Sequence, residues 1–587
     1  MKELLHTPSH LLNRQYLDSD FRVNTWDDID GLFKELLERE IPDEAALRQW
    51  IMDRSELDSA IAEEQAIRYI NKSRFTGNEE IQQRLSDFFT GINPRLSSVN
   101  DALNRKLCDS PFVGAFENTT LKNYIRSVKS DVALFREENI PVYSELEVAE
   151  QTFGTISGAM TIRWEDNEIT LQQASTHLKS TDRHTRQEVF ELIAKRRSQD
   201  TKELESNFEQ LLDLRHQLAS NAGYRNYRDY AFVAKQRFDY TAEDCLQLHE
   251  SIEKFIVPLV EEMDHIRKDQ LKVDNLRPWD MEVDVNGLPP IRAFGNGDDL
   301  IRGTIQCFKE IDPLFSETLE IMEKRGLLDL DSRKEKSPGG YNYPLIETGL
   351  PFIFMNAVGT MRDVVVMTHE GGHAVHSVLC NNLQPLFLRI VPHEVAELAS
   401  MSMELFASAY WQKGFGLSDD DYRRAMHEHL EHIIRLLPWI ATIDAFQHWL
   451  YTHPDHTREE RKIAWLETRS RFQSKVVDWS GYENDHETIW QKQGHLFYAP
   501  FYYIEYAMAQ LGALSLWKDY LKDPKSTIEK YKTALASGYI KSIPETYQLA
   551  GIPFDFGATA LRSLMGFVQE QLKNLAPMEP STPPSMP

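Results

Sequence analysis

The chain has 587 residues and a net charge of −26 at pH 7, because 91 Asp and Glu outnumber 65 Lys and Arg. This acidic balance argues against nucleic acid and against an anionic membrane surface as partners. The hydrophobic fraction of 41% supports a substantial core. The length fits either about four domains or one large helical enzyme with a shared cleft.

Cysteine usage and the first residues bear on the expected location. Four cysteines lie far apart without a Cys-x-x-Cys pair, so neither a disulfide framework nor a thiolate zinc site is expected. Buried free thiols are predicted at Cys108, Cys245, Cys307 and Cys380. Residues 1–20 are polar and lack a basic start followed by an apolar run, which predicts no secretory signal and a cytoplasmic protein.

Residues 1–110 have helical periodicity. Residues 25–28 (Thr-Trp-Asp-Asp) are similar to a capping box before apolar residues at helical spacing, and Pro42 opens the next predicted helix. Turn residues at 76–78 and 91–94 separate further helices. Because this region holds no catalytic constellation, we expect a scaffold or one wall of a cleft.

Residues 111–200 predict a helical segment with one small β-hairpin. Residues 155–164 are rich in β-branched and apolar side chains, and residues 165–168 form a turn signal before Ile169. Residues 180–182 (Ser-Thr-Asp) offer a cap for a helix through Lys195. Long helices are expected from there to about Lys272.

His369-Glu370-Gly371-Gly372-His373 matches the pattern His-Glu-x-x-His inside a predicted helix. Positions four apart lie about 40° apart around a helix, so His369 and His373 can bind one metal ion. Glu370 lies roughly 100° further round, where it can act as general base on a metal-bound water. The alternative is a chance match in a chain with 19 histidines.

Gly371 and Gly372 favour a functional helix. Each glycine inside a helix costs about 1 kcal/mol relative to alanine, so two in succession predict the close approach of another backbone. A helix end at Gly371 is the alternative, but it would break the face shared by His369 and His373.

A third protein ligand must come from elsewhere in the chain. The longer pattern with a following glycine and a third histidine is excluded, because those positions are His376 and Leu379. A second predicted helix places Glu394, Glu397 and Glu404 close to one stripe. From spacing alone, any of the three could face the metal.

Two other stretches have simpler interpretations. Residues 427–432 hold three histidines but belong to a helix that starts near Ser418, so we interpret them as a solvated face rather than a metal site. Residues 501–517 are too short and too polar for a membrane span, and predict a buried helix that begins at Pro500. Tyr502 and Tyr506 share a face of that helix.

The motif at residues 369–373, followed by Glu397 within Ala-Glu-Leu-Ala-Ser, resembles the thimet oligopeptidase and oligoendopeptidase F family of zinc metallopeptidases. The oligoendopeptidase F branch is the most similar. Residues 339–341 and 349–356 resemble the family's strand beside the active site, whose exposed edge can pair with an extended peptide. Residues 494–506 resemble its substrate-clamping His/Tyr segment.

The resemblance implies one Zn²⁺ per chain, held by His369, His373 and Glu397, with Glu370 activating the zinc-bound water. It also makes Glu404 a candidate to orient a ligand histidine. Residues 352–356 are implied to align the substrate backbone.

The resemblance further implies hydrogen-bond donors to the substrate or to the tetrahedral oxyanion. His495 and Tyr506 are the first candidates and Tyr502 is a further one. Tyr498 and Tyr503 remain alternatives.

The predicted fold is mainly α, a large gluzincin-like multi-helix metallopeptidase with a deep cleft and a small β-sheet beside the active-site helix. The expected regions are N-terminal helical (1–110), helical with a hairpin (111–200), catalytic (201–575) and a disordered tail (576–587). The expected function is zinc-dependent hydrolysis of internal bonds in oligopeptides. An exopeptidase with the same site and a non-catalytic, metal-containing peptide-binding protein are the alternatives.

Overall fold

Alpha-helices dominate the computed structural model, which describes residues 3–4, 14–337 and 339–575. The predicted mainly α-helical class is confirmed. The predicted disordered tail, 576–587, lies outside the described residues. The other predicted region boundaries stay a prediction.

The first eight helices are α1 (Asp27–Glu38), α2 (Glu44–Arg74), α3 (Glu79–Gly91), α4 (Asn93–Asp109), α5 (Lys122–Leu134), α6 (Asn139–Gly158), α7 (Leu171–Ser175) and α8 (Arg183–Asn221). The middle eight are α9 (Tyr227–Ala234), α10 (Ala242–Phe255), α11 (Val257–Leu271), α12 (Gly297–Ile311), α13 (Pro313–Lys324), α14 (Met361–Leu379), α15 (His393–Ser408) and α16 (Trp411–Phe415). The last eight are α17 (Asp419–Thr452), α18 (Arg458–Phe472), α19 (Glu483–Thr488), α20 (Gly494–Tyr498), α21 (Tyr503–Tyr520), α22 (Pro524–Leu535), α23 (Ile543–Leu549) and α24 (Ala558–Leu575). The strands are β1 (Thr161–Trp164), β2 (Asn167–Thr170), β3 (Leu328–Asp331), β4 (Tyr341–Leu345) and β5 (Leu350–Ala357).

Helix starts follow the side chains that accept the first free backbone N–H groups. Asp43 caps α2 directly after Pro42, Asp182 caps α8 and Ser418 caps α17. The predicted helix starts at these three places are confirmed. Helix α17 continues through Pro438 to Thr452.

The predicted small hairpin is present, with β1 antiparallel to β2, but its first strand is shorter than expected. Residues 155–158 belong to α6, not to the strand, which begins only at Thr161. Phe153 and Ile156 are buried on α6, which packs against α8. Burial of these side chains outweighs the weak strand preference of the β-branched run.

A three-stranded sheet in the order β3-β5-β4 lies next to α14. Strand β5 is therefore central, parallel to β3 and antiparallel to β4. The expectation that residues 352–356 offer an exposed edge is wrong, because both sides of β5 are paired. Among the described residues, the strand next to α14 that has an unpaired edge is β4.

The register shows which backbone groups of β4 point away from β5. Pro344 pairs with Pro351, and neither can donate a hydrogen bond, so this is a pair without ladder bonds. The pair of Asn342 with Ile353, two positions along the ladder, also lacks hydrogen bonds between β4 and β5. The Ile353 N–H donates to the Leu327 carbonyl at 3.0 Å and not to Asn342. The backbone N–H and C=O of Asn342 therefore face the free edge.

The main hydrophobic core surrounds α14, α15, α17 and α21, and a second core fills the N-terminal helices. Helix α15 is a core helix, since from Glu394 to Ser408 only Ala396 is not buried. The four cysteines are free thiols, as predicted, although Cys108 is only partly buried. Among the described residues, no helix combines the length and apolar character needed to cross a bilayer.

Candidate active site

Helix α14 follows β5 closely in the chain and has a capped N-terminus. After β5, Thr360 caps α14 in a reciprocal capping box with Asp363, whose carboxylate also accepts the N–H groups of Val358 and Gly359 at 3.0 Å. Helix α14 then runs unbroken through the histidine motif to Leu379. The alternative of a helix end at Gly371 is wrong.

Gly371 and Gly372 are explained by packing. A Cβ on Gly372 would lie 2.7 Å from Ser400 Cα and 2.9 Å from the Ala399 carbonyl oxygen, so α15 crosses directly over this point. A Cβ on Gly371 would lie 2.7 Å from the Phe308 ring. The close approach of another backbone, predicted from the paired glycines, is confirmed at Gly372.

This contact brings Glu397 to the two histidines. Its Oε2 lies 3.3 Å from His369 Nε2 and 3.8 Å from His373 Nε2. One donor atom from each of the three residues lies within 4.8 Å of the other two. Two imidazole nitrogens and a carboxylate oxygen are a donor set that fits a zinc ion.

The other two glutamates of the stripe have different partners. Glu404 Oε1 lies 2.7 Å from Nδ1 of His369, the ring nitrogen that faces away from Glu397. Glu394 instead accepts a hydrogen bond from Tyr240, so it does not face the histidines. Glu397 and Glu404 therefore face the histidine pair, whereas Glu394 faces the core behind α15.

Charges in this cluster are strongly coupled. Burial opposes ionisation of His369, but Glu397 and Glu404 raise its pKa well above the usual value. Burial likewise opposes the charge on Glu397, yet His369, His373 and Tyr502 lower its pKa to about 2. Burial lowers the pKa of His373 to about 4. Glu397 is thus an anion, and His373 is neutral, at neutral pH.

Glu370 lies on the same helix in a different environment. Its side chain is buried, and this burial, assisted by the charges of Glu397 and Glu404, raises its pKa to about 7. Its backbone carbonyl accepts a hydrogen bond from Asn342 Nδ2 at 3.0 Å, which ties α14 to β4. A carboxyl group with this pKa can both accept and release a proton near neutral pH.

The His/Tyr segment reaches the same place from the C-terminal side. The Tyr502 hydroxyl donates to Glu397 Oε1 at 2.8 Å, and the Tyr506 ring lies 5.2 Å from the Tyr502 ring. The His495 ring lies 5.8 Å from Tyr502 and 6.0 Å from Tyr506. The alternatives also border His495, with ring separations of 5.7 Å for Tyr498 and 4.9 Å for Tyr503.

Neighbouring side chains decide which nitrogen of His495 carries its proton. The Trp439 indole donates to Gln493 Oε1 at 3.0 Å, which fixes the orientation of the Gln493 amide. The Gln493 amide nitrogen then donates to His495 Nδ1 at 2.7 Å. Burial lowers the pKa of His495 to about 4, so its ring is neutral and its proton lies on Nε2.

The helix that carries the tyrosines does not begin at Pro500. Phe501 has a φ of 62°, outside the helical region, and α21 starts at Tyr503. The Phe501 N–H donates to Gln447 Oε1 at 2.7 Å and its carbonyl accepts from Arg237. These tertiary contacts replace the first turn that the proline predicted.

Sequence reasoning missed several groups beside the tyrosines. The His393 ring lies 4.7 Å from the Tyr502 ring, and Lys235 Nζ lies 5.4 Å from its centre. Arg237 pairs with the buried Glu505 at 2.8 Å. His393, next to the glutamate stripe, carried a sequence signal, and Glu505 belongs to the His/Tyr segment itself. Lys235 and Arg237 follow the end of α9, far away in the chain and outside any motif.

The predicted solvated face at residues 427–432 is only partly confirmed. His427 and His432 are exposed, but His429 is buried, with Nε2 3.8 Å from Glu404 Oε2. His429 lies on the side of α17 that packs against the core, so this histidine is buried next to Glu404. The described residues place no three-ligand metal cluster there.

Comparison with known proteins identifies the family. Residues 176–565 match "Peptidase family M3" and residues 17–135 match "Peptidase M3 N-terminal domain". The chain belongs to peptidase family M3. The resemblance stated from the sequence motifs is thereby confirmed.

Relatives of this M3 chain are similar at low identity. Oligopeptidase PepF of Bacillus subtilis is 23% identical over 425 residues, 70% of this chain and 60% of the relative. The chromosomal oligoendopeptidase F of Lactococcus lactis subsp. cremoris is 22% identical over 290 residues, 47% of this chain and 44% of the relative. The match spans less than two thirds of each of these curated relatives.

Among solved structures, "PZ peptidase A with inhibitor 2" has a TM-score of 0.88 and 25% identity. The alignment covers 95% of this chain and 99% of that one. The M3 fold therefore extends over nearly the whole chain.

Proposed function

We propose that the protein is a zinc-dependent oligoendopeptidase that hydrolyses internal bonds of short peptides. The observation that carries the proposal is the convergence of His369, His373 and Glu397 beside the buried carboxyl group of Glu370. Membership of a peptidase family and the oligoendopeptidase relatives support peptide hydrolysis.

In this proposal, His369, His373 and Glu397 would hold the zinc ion. Zn²⁺ held there would supply Lewis-acid chemistry, which would lower the pKa of a water molecule and polarise the scissile carbonyl. Glu404, at 2.7 Å from His369 Nδ1, orients that ligand.

Glu370 is the general base and acid of the proposed reaction. It takes a proton from the attacking water and delivers it to the leaving amine, and its pKa of about 7 suits both transfers. Because the Asn342 side chain holds the Glu370 carbonyl, the base is positioned relative to β4.

His495 and Tyr506 are the proposed donors to the tetrahedral oxyanion. The Nε2 proton of His495 makes that ring a neutral donor, and the Tyr506 hydroxyl remains protonated because burial raises its pKa well above the usual value. Tyr502 is bonded to Glu397, so we assign it to positioning that ligand.

The substrate backbone is proposed to pair with the free edge of β4. The backbone N–H and C=O of Asn342 point to this edge, and an extended peptide can bind there by β-strand addition. This assignment replaces the residues 352–356 that the sequence favoured.

The test is metal analysis combined with cleavage of an internally quenched peptide whose two ends are blocked, with and without a chelator. Zinc near one ion per active site and chelator-sensitive internal cleavage support the proposal. Cleavage only of peptides with free ends would identify an exopeptidase. Bound zinc without cleavage of any peptide would identify a non-catalytic binding protein.

A further inference from the structure

A second group of metal-ligand side chains lies in the core, away from the histidine motif. Helix α10 carries Cys245 and His249, and helix α17 carries Asp444 and His448. Each pair is spaced by four residues, so each helix presents both members on one face. The exposed fractions are 0%, 1%, 0% and 5% in that order.

The donor atoms of this group meet between the two helices. One ligand atom each from Cys245, Asp444 and His448 lies within 4.8 Å of the other two. His249 Nε2 lies 2.9 Å from Asp444 Oδ2, and His448 Nε2 lies 3.3 Å from the same oxygen. As in the first site, two ligand residues four positions apart on one helix meet a third ligand from a neighbouring helix.

Hydrogen bonds within the described residues do not satisfy this group. Asp444 Oδ1, His448 Nδ1 and His249 Nδ1 have no hydrogen-bond partner there. An unsatisfied buried polar atom is destabilising, so several in one place require an explanation.

Neither an ion pair nor a disulfide accounts for these buried donor atoms. The ion pairs of Asp444 with His249 and His448 both use the same carboxylate oxygen, Oδ2, so they leave Asp444 Oδ1 and the two Nδ1 atoms unsatisfied and assign no role to Cys245. A disulfide is excluded because Cys245 is a free thiol. A metal ion satisfies Sγ, a carboxylate oxygen and an imidazole nitrogen together.

We propose that α10 and α17 hold a second metal ion, ligated by Cys245, Asp444 and His448, with His249 orienting the carboxylate of Asp444. Thiolate, imidazole and carboxylate donors together favour Zn²⁺ over Mg²⁺ or Ca²⁺, which take oxygen ligands. Because all four side chains are buried, the site is structural and is closed to substrates.

The second site lies under the His/Tyr segment. The Phe501 ring lies 5.4 Å from the His448 ring, and the Phe501 N–H donates to Gln447, the residue before His448. Phe232 contacts both rings, at 6.0 Å from His448 and 5.7 Å from Phe501. Metal binding would therefore hold in place the residue that precedes Tyr502.

Cobalt spectroscopy separates this site from the first one. The proposed active site contains no cysteine, so thiolate-to-cobalt charge-transfer absorption in the near ultraviolet reports only the site of Cys245. The full chain is expressed in minimal medium with either Zn²⁺ or Co²⁺ as the added metal. We expect about two zinc ions per chain and a charge-transfer band in the cobalt protein.

Two variants and one control complete the experiment. His373→Ala should lower the metal content to about one ion per chain and keep the charge-transfer band. Cys245→Ser should lose the band, whereas Cys307→Ser, which changes another buried free thiol, should keep it.

The proposal is overturned if the folded wild-type and His373→Ala proteins show no thiolate-cobalt absorption. It is also overturned if the band survives in Cys245→Ser. Neither outcome depends on peptidase activity, so failure here and failure of the proposed function are distinguishable. The wild-type and His373→Ala measurements remain decisive even if Cys245→Ser does not fold.

Discussion

At the scale of single residues, the surroundings of Glu370 decide what its carboxyl group can do. The sequence places it one position after a ligand histidine, but its pKa of about 7 comes from burial and from Glu397 and Glu404 on another helix. A solvent-exposed glutamate at the same position would remain ionised throughout the neutral range.

Glu370→Gln removes the proton acceptor and keeps the shape of the side chain. We expect unchanged zinc content and a fall in kcat of about 10²- to 10⁴-fold, the usual contribution of general acid-base catalysis. Metal analysis and steady-state kinetics on a quenched peptide measure both quantities. His369→Ala is the contrast and should lose the active-site metal; full cleavage by the glutamine variant would refute the assigned role.

Glu404→Gln tests whether this glutamate orients His369. We expect zinc affinity to fall by about 10- to 100-fold, since partners of metal-bound histidines typically contribute that much. Chelator competition measures the affinity. Glu428→Gln is the control, because Glu428 is exposed on α17 and, among the described residues, forms its ion pair with Lys179 at 3.0 Å. Equal zinc affinity in the two variants would show that Glu404 does not orient His369.

Tyr506→Phe tests the proposed oxyanion donor. We expect kcat to fall by about 10²-fold or more while zinc content and KM change little, because the hydrogen bond forms in the transition state. Tyr502→Phe provides the comparison, since its hydroxyl contacts Glu397. If only the Tyr502 variant loses turnover at full zinc occupancy, the donor role moves to that residue.

At the scale of elements, the crossing of α14 and α15 sets the geometry of the site. Gly372 allows the two backbones to approach, and that approach brings Glu397 to the histidines. The sequence indicated a close contact at this glycine but did not identify the partner, because nothing local distinguishes α15 from the other helices.

Gly372→Ala should separate these two helices. The added Cβ would lie 2.7 Å from Ser400 Cα, a backbone atom that cannot rotate away. Overpacking of this kind costs about 1–3 kcal/mol, and a displaced α15 should also lower zinc affinity. Urea unfolding and chelator competition measure the two effects.

The matched control is Gly31→Ala in α1, where a Cβ meets nothing within 4 Å. Alanine there should leave the protein unchanged or more stable by up to about 1 kcal/mol. A Gly372 variant as stable as this control would contradict the packing argument.

At the scale of the whole molecule, buried polar groups join the N-terminal helices to the sheet beside α14. Asp329 on β3 accepts hydrogen bonds from Arg74 of α2 at 2.8 Å, from Arg333 at 2.6 Å and from Lys336 at 2.9 Å. Glu63 of α2 accepts the backbone N–H of Thr348 at 2.9 Å. The N-terminal region and the sheet are thus linked by charge as well as by apolar packing.

Asp329 should make this linkage sensitive to acid. Burial alone would raise its pKa, but the three cations lower it from 3.8 to about 2. The folded protein therefore binds fewer protons than the unfolded chain, so the stabilisation is complete above 3.8 and is lost as the pH falls towards about 2. This contribution is about 2 kcal/mol.

Asp329→Asn measures the effect. At neutral pH it should be less stable by about 3–5 kcal/mol, because the buried cations lose their counter-charge. The difference from wild type should shrink as the pH falls from about 4 towards 2, since the unfolded wild-type chain then binds a proton that the folded protein, with its pKa of about 2, does not yet bind. Urea unfolding across this range is the measurement; a difference independent of pH would contradict the assigned pKa.

The sequence by itself determined the helical class, several helix starts, the shared face of His369 and His373, and the family resemblance. These features depend on local periodicity, capping residues and short motifs, which act within a few turns of one helix. Helical spacing left three glutamates on α15 as equivalent candidate ligands. The family resemblance, not the spacing, selected Glu397.

Only the tertiary structure decided which strand edge is free, where α21 begins and which side chains meet between α10 and α17. Strand β5 became central because β3, which precedes it by many residues, pairs with its second side. Phe501 left the helix because Gln447 and Arg237 hold its backbone. Such contacts join segments far apart in the chain, so their energies leave no local periodicity or motif in the sequence.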